Sequence, residues 1–121
     1  MSELIKLGTN YGGWFIPKKC NLNENSIIYS GGVGEDMSFD ILLNGKYDCN
    51  IFLIDPTIKA INHFKEFQDY YTNNIPFKGN IQTDYYNIIN PIKPNLNKFF
   101  YENIGLWNKE DNLKFYKQNI K

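Results

Sequence analysis

The chain contains no arginine. Its 13 basic residues are all lysines, 13 acids balance them, and no lysine run is longer than Lys18-Lys19. Proteins that bind nucleic acid carry a basic surplus and commonly fork arginine onto guanine, so no DNA or RNA partner is expected. No apolar run reaches the roughly 18 residues of a transmembrane helix, so no membrane span is expected. The opening Met1-Ser2-Glu3-Leu4-Ile5-Lys6 lacks the apolar core of a secretory signal. Cysteine is scarce as well: Cys20 and Cys49 lie far apart with no CxxC partner, which excludes a zinc motif or a disulfide framework. Two free thiols in a cytoplasmic protein are expected. One histidine, His63, is present, and no Ser/His/Asp or Cys/His nucleophilic set can be placed around it.

An apolar fraction of 42% over 121 residues is enough for one packed domain. Residues 1–25 are polar and turn-rich. Their Tyr11-Gly12-Gly13-Trp14 cluster reads as a lid segment, with Trp14 and Phe15 as buried anchors. Ser26–Ser30 reads as a buried strand ending in Gly31-Gly32-Val33-Gly34. Asp36 or Ser38 can cap a short helix through Leu43, with Asn44-Gly45 as its stop. Asn50–Ile54 is a continuous apolar run of the kind a parallel sheet buries on both faces. After Asp55-Pro56-Thr57, the spacing of Ile58, Ile61, Phe64, Phe67 and Tyr71 predicts an amphipathic helix with Thr57 as N-cap. Residues 73–97, with three prolines, read as a long loop or insertion holding a helical turn or two between Thr83 and Ile89. Lys98–Ile104 and Leu113–Tyr116 read as two further strands. The order β-α-β-α-loop-β-β is half of a doubly wound α/β sheet.

Chemistry is expected at the carboxyl ends of the first two parallel strands. Glycines there let backbone approach a ligand, and an acid ending the next strand, about 20 residues on, can accept ribose hydroxyls. Gly34 and Asp55 have that spacing. A dinucleotide loop wants another glycine where this chain has Met37, and Glu35-Asp36 would set two negative charges against a pyrophosphate. S-adenosylmethionine (SAM) carries a cationic sulfonium and an ammonium, for which acids are favourable neighbours. A NAD-type half-domain is therefore disfavoured.

The run from Ile28 to Asp40, containing Tyr29-Ser30-Gly31-Gly32-Val33-Gly34-Glu35-Asp36-Met37-Ser38-Phe39-Asp40, is followed by Phe52-Leu53-Ile54-Asp55-Pro56-Thr57. Together they resemble the FkbM-type family of SAM-dependent methyltransferases. Tyr11–Pro17 and Asn103–Trp107 are similar to further segments of that family, so the resemblance spans most of the chain except 73–97. It implies a Rossmann-like class I methyltransferase sheet, incomplete at the C-terminus, and methyl transfer to an oxygen of a sugar or small metabolite. It also implies roles for individual residues. Gly31, Gly32 and Gly34 would line the methionine part of SAM, with Glu35 and Asp36 beside it. Asp55 would hold the ribose, Pro56 and Thr57 would shape the adenine wall, Asn103 and Gly105 would border the adenine, and Tyr11 and Trp14 would cover the amino-acid end. The family's loop often opens with an acid where this chain has Ser30. No catalytic base and no metal ligand is assigned. The competing expectation is a truncated, non-catalytic SAM-binding remnant, because the acceptor-side strands would lie beyond Lys121. An incomplete sheet would leave an open edge that a homodimer could cover.

Overall fold

Residues 3–103 are described by a computed structural model. The two apolar runs that flank the glycine loop are adjacent parallel strands. Numbered in chain order, a hairpin of β1 (Leu4–Leu7) and β2 (Trp14–Pro17) comes first, followed by β3 (Ile27–Gly31), α1 (Ser38–Tyr47), β4 (Asn50–Ile54) and α2 (Ile58–Asn73). A short helix α3 (Tyr85–Ile89), a 3-10 turn at Leu96–Lys98 and β5 (Phe99–Glu102) complete the described part. The sheet order is β3-β4-β5, all parallel, with Ile28 opposite Ile51 and Ile51 opposite Phe99. The fold is thus mixed α/β, a three-stranded parallel sheet accompanied by an antiparallel pair.

Among the described residues the sheet buries one face, not both. Ile51, Leu53 and Phe99 share a core with Met37, Ile41 and Leu43 around α1, Ala60 and Phe67 of α2, and Tyr85 and Ile89 of α3. The opposite face carries Tyr29, Phe52 and Phe100 side by side, with ring centroids 5.6 and 4.7 Å apart. Tyr29 and Phe100 are exposed. The continuous apolar run of β4 therefore alternates buried and half-buried, because the described helices all pack against the same side.

Helix α2 starts where its pattern predicts, with the Thr57 hydroxyl accepting the Ala60 N–H at 3.2 Å. Helix α1 departs from expectation at both ends. Met37, not Asp36 or Ser38, occupies the N-cap, while Asp36 Oδ1 accepts the Ser38 N–H from one residue further out. The helix also runs through Asn44-Gly45 to a left-handed Asp48. Those two residues serve packing instead of termination. The buried Asn44 amide donates to the Cys49 carbonyl and accepts the Asn95 N–H, each at 2.7 Å. A Cβ at Gly45 would collide with Ile92 Cγ2.

The N-terminal segment is a hairpin whose strands pair Leu4 with Pro17 and Leu7 with Trp14. Trp14 and Phe15 are not buried anchors: they are 68% and 63% exposed. Ile5, Leu7 and Ile16 pack inward, and Lys6 lies over the outward Phe15 ring. The 73–97 segment contains α3 and buries Phe77, Tyr85 and Ile89. Tyr85 and Tyr86, within the helical turns expected between Thr83 and Ile89, are buried and half-buried respectively. Gly105, Trp107 and the expected strand at 113–116 lie outside the described residues.

Gly45→Ala tests the close approach of Ile92. Alanine favours a helix by about 1 kcal/mol over glycine, yet overpacking costs about 1–3 kcal/mol. The variant should be less stable in urea denaturation, and adding Ile92→Ala should recover part of the loss.

Candidate functional site

The glycine loop links β3 to α1 at the carboxyl ends of the parallel strands. Gly32 and Gly34 adopt φ of 77° and 55°, and a Cβ at either would meet nothing within 4 Å. Backbone conformation, rather than crowding, selects glycine at both places. The Gly32 N–H donates to the Ile54 carbonyl at 3.2 Å, which extends the β3–β4 ladder into the loop.

Asp55 holds the loop from behind. Its Oδ2 accepts the Gly34 N–H at 3.1 Å, and its Oδ1 accepts the Thr57 N–H and hydroxyl at 2.9 and 2.8 Å. The Tyr101 hydroxyl donates to the Asp55 carbonyl at 2.7 Å. The carboxylate is buried, and these bonds leave lone-pair capacity only on Oδ2. Asp55 is at once the acid at the expected offset and the tie between the loop and the start of α2.

Asp36 is likewise engaged. Oδ1 accepts the Ser38 N–H at 2.8 Å and the Ser38 hydroxyl at 2.5 Å, while Oδ2 accepts the Thr9 hydroxyl at 2.6 Å. The same Thr9 hydroxyl accepts the Gly12 N–H at 2.9 Å. A Cβ on Gly12 would fall 2.6 Å from the Asp36 carboxyl carbon, so glycine lets the hairpin tip close on this acid.

The space enclosed is a cavity of about 130 Å³. It brings together Tyr11, Trp14, Gly31, Gly32 and Asp36 of the expected site, and adds Gly12, Ser30, Val33, Phe39 and Asp40. Among the described residues its lining has two acids and no base. Glu35 turns elsewhere: a Cβ on Gly79 would stand 2.9 Å from its Oε2. Gly34 lies in the loop next to the cavity lining, Pro56 and Thr57 are exposed beyond Asp55, and Asn103 is exposed after β5. Gly105 is outside the described residues. A larger open groove of about 680 Å³ lies between the end of α2 and residues 90–96, and no glycine-loop residue borders it.

Two buried titratable groups flank the loop. Asp40, 4% exposed, accepts the Ser30 hydroxyl at 3.3 Å on Oδ2. Its Oδ1 is the one buried side-chain oxygen or nitrogen without a partner among the described residues. Burial pushes its carboxyl up to about 7, against the Ser30 hydrogen bond and with the help of Asp36. On the other side, His63 Nε2 lies 2.6 Å from the Tyr85 hydroxyl, whose oxygen accepts the Met37 N–H at 3.2 Å. A neutral imidazole protonated at Nδ1 would accept the phenol proton at Nε2 while that oxygen accepts from Met37. Burial lowers the His63 pKa and raises that of Tyr85 well above the usual phenol value, both in keeping with the neutral pair. His63 is thus held by a phenol, not an acid.

Asp40 and Thr9 were not singled out as site residues by the sequence. For Asp40 the signal existed: it sits one residue before Ile41 and three after Met37, on the apolar stripe of α1. Compared with protein-family models, with curated proteins and with solved structures, the chain matches none.

Two outcomes follow for stability. The folded pKa of Asp40 is above its unfolded value, so its favourable contribution is complete below pH 3.8 and is lost as pH rises through about 7. The span is on the order of 4 kcal/mol, and urea denaturation of Asp40→Asn should lack it. Tyr85→Phe strands the Met37 N–H and His63 Nε2 and should cost about 2–3 kcal/mol, read as a lower thermal midpoint.

Proposed function

We propose that this chain is the cofactor-binding part of a SAM-dependent methyltransferase of the FkbM type, with a Rossmann-like sheet, acting in the cytoplasm on an oxygen of a sugar or small metabolite. The observation that carries this proposal is the charge of the cavity beside the glycine loop: among the described residues Asp36 and Asp40 line it, and no lysine does. A pyrophosphate would meet uncompensated repulsion there, whereas the cationic end of SAM would be attracted. The cavity is sized for an amino-acid head group, not for a whole nucleoside. The amino-acid end would enter it, with Tyr11 and Trp14 at its border. The orphaned Asp40 oxygen is a further sign that a donor belongs at this place.

When bound, SAM supplies an activated methyl group, so no nucleophilic side chain is required. The chain's own residues position it. Gly32 and Gly34 keep the backbone close and open, and Asp55 fixes the loop through the Gly34 N–H while its Oδ2 can receive a hydroxyl. Charged groups in the cavity exchange water for preorganised dipoles, which favours orientation over mere affinity.

Calorimetric titration with S-adenosylhomocysteine tests this assignment. One-to-one binding is expected, NADH should not bind, and Asp55→Asn should weaken the nucleoside at least about tenfold, or ~1.4 kcal/mol, with circular dichroism unchanged. Binding of NADH in place of S-adenosylhomocysteine, or of neither, overturns it.

A further inference from the structure

Asp84 and Tyr85 are neighbours at the start of α3, and each directs its polar atoms at another element. Asp84 occupies the N-cap of α3, where an aspartate ordinarily accepts an N–H of its own helix. Its side chain makes no such bond. Oδ2 instead accepts the Asn10 N–H at 3.1 Å, at the tip of the N-terminal hairpin. Tyr85 in turn serves α1. Met37, the N-cap of α1, has no side-chain capping bond, and its N–H donates to the Tyr85 hydroxyl at 3.2 Å. Tyr85 is fully buried, so a phenylalanine would fill the same volume and leave that N–H unmatched.

The two amides adjoin the two walls of the cavity beside the glycine loop. Asn10 precedes Tyr11 and Gly12 of the hairpin wall, and Met37 follows Asp36 of the loop wall. The brace is itself anchored to α2. His63 Nε2 lies 2.6 Å from the Tyr85 hydroxyl, and the Tyr71 hydroxyl donates to the Ile89 carbonyl at 2.9 Å. Helix α2 starts just after Asp55, which accepts the Gly34 N–H. The loop from Gly34 to Met37 is therefore tied to one helix at both ends. Asp36 joins the two walls where they meet, at Thr9. A single junction leaves a hinge, and the α3 contacts add the second point of attachment.

We propose that Asp84 and Tyr85 are the positioning residues of this cavity: Asp84 sets the hairpin wall through Asn10, and Tyr85 sets the loop wall through Met37. Together they fix the separation that a bound ligand requires. The identity of that ligand rests on the SAM-binding proposal, whereas the brace is read from contacts alone. Neither side chain lines the cavity, so each acts through the backbone amide it holds. Ligand placement within fractions of an ångström is what such a hold supplies.

Amide hydrogen exchange on the full chain tests the brace without a ligand. In Tyr85→Phe the Met37 amide should exchange at least about tenfold faster, at a rate that sub-denaturing urea does not change. In Asp84→Ala the Asn10 amide should exchange about threefold faster in the same manner. Asp84→Asn retains an oxygen that can accept, and should keep the wild-type rate. In calorimetric titration with S-adenosylhomocysteine, Tyr85→Phe should bind at least about tenfold more weakly and Asp84→Ala about threefold. Asp84→Asn should bind as wild type does, with every variant folded by circular dichroism at the temperature used.

The outcomes separate the two proposals. If S-adenosylhomocysteine binds every variant as it binds wild type, the positioning role is overturned and the cofactor proposal stands. If wild type does not bind it, the cofactor proposal falls and the exchange rates decide. Urea-independent loosening at Met37 and Asn10 then supports the brace. Exchange that is unchanged, or that speeds only through urea-dependent global unfolding, makes both residues ordinary packing contacts and overturns it. Equal weakening by Asp84→Asn and Asp84→Ala makes Asp84 a source of charge, and overturns its positioning role.

Discussion

The carboxylate of Asp36 is the junction on which the described structure depends. It accepts from Thr9 at the tip of the N-terminal hairpin and from Ser38 at the start of α1, and it sits two residues after Gly34 of the loop. A two-stranded hairpin is marginal in isolation, and Leu7 is the one buried residue of β1–β2. Its attachment comes from these polar contacts, from Thr9 N–H donating to Ser38 Oγ at 2.9 Å, and from the absence of a Cβ on Gly12. One acid thus joins three segments, and each of its bonds satisfies a group that would otherwise be buried unpaired.

Where local physics and tertiary packing agreed, the sequence was easily read. Strand β4 and helix α2 fall at their predicted positions because a β-branched apolar run and a capped 3.6-residue stripe leave little choice. Packing overrode local signals elsewhere. Asn44-Gly45 looks like a helix stop, but the Asn44 side chain bridges two backbone segments and Gly45 makes room for Ile92. The helical turn expected between Thr83 and Ile89 is α3, but the prolines and asparagines of 73–97 hide its burial, because Tyr85 and Ile89 enter the core through contacts with α1 and α2 that lie far away in sequence. The hairpin was missed because its strands are four residues long and face water on one side. The glycine loop was legible as a turn with an acid behind it. What that acid does in the folded chain was not, since the bond from Gly34 to Asp55 spans 21 residues.

The three acids around the loop have divided roles that composition cannot reveal. Asp55 and Asp36 have their oxygens directed at backbone and hydroxyl donors of the chain, and such bonds hold conformation. Asp40 has the same side chain but one oxygen left over, in a place where water does not reach it. A burial cost of that kind persists when a structure gains from it elsewhere. The aromatic row of Tyr29, Phe52 and Phe100 is a different matter: it is apolar surface on the far side of the sheet, and contributes nothing to the cavity.

Asp40 and His63 also oppose one another in their dependence on pH. The Asp40 contribution declines as pH rises from 3.8 through about 7. The folded pKa of His63 lies below 6.5, so folding is penalised as pH falls below 6.5, where the unfolded chain takes up the proton more readily. In mildly acidic solution the two trends oppose each other, and the histidine's fades as pH passes 6.5 while the carboxyl still changes through about 7. The loop is held from both sides there, by the Tyr85 bond to Met37 and by the Ser30 bond to Asp40. Near neutrality the histidine side is therefore settled while the carboxyl side is poised between its two states. A small change in the charge facing Asp40 is enough to shift that balance without disturbing the anchor at Met37.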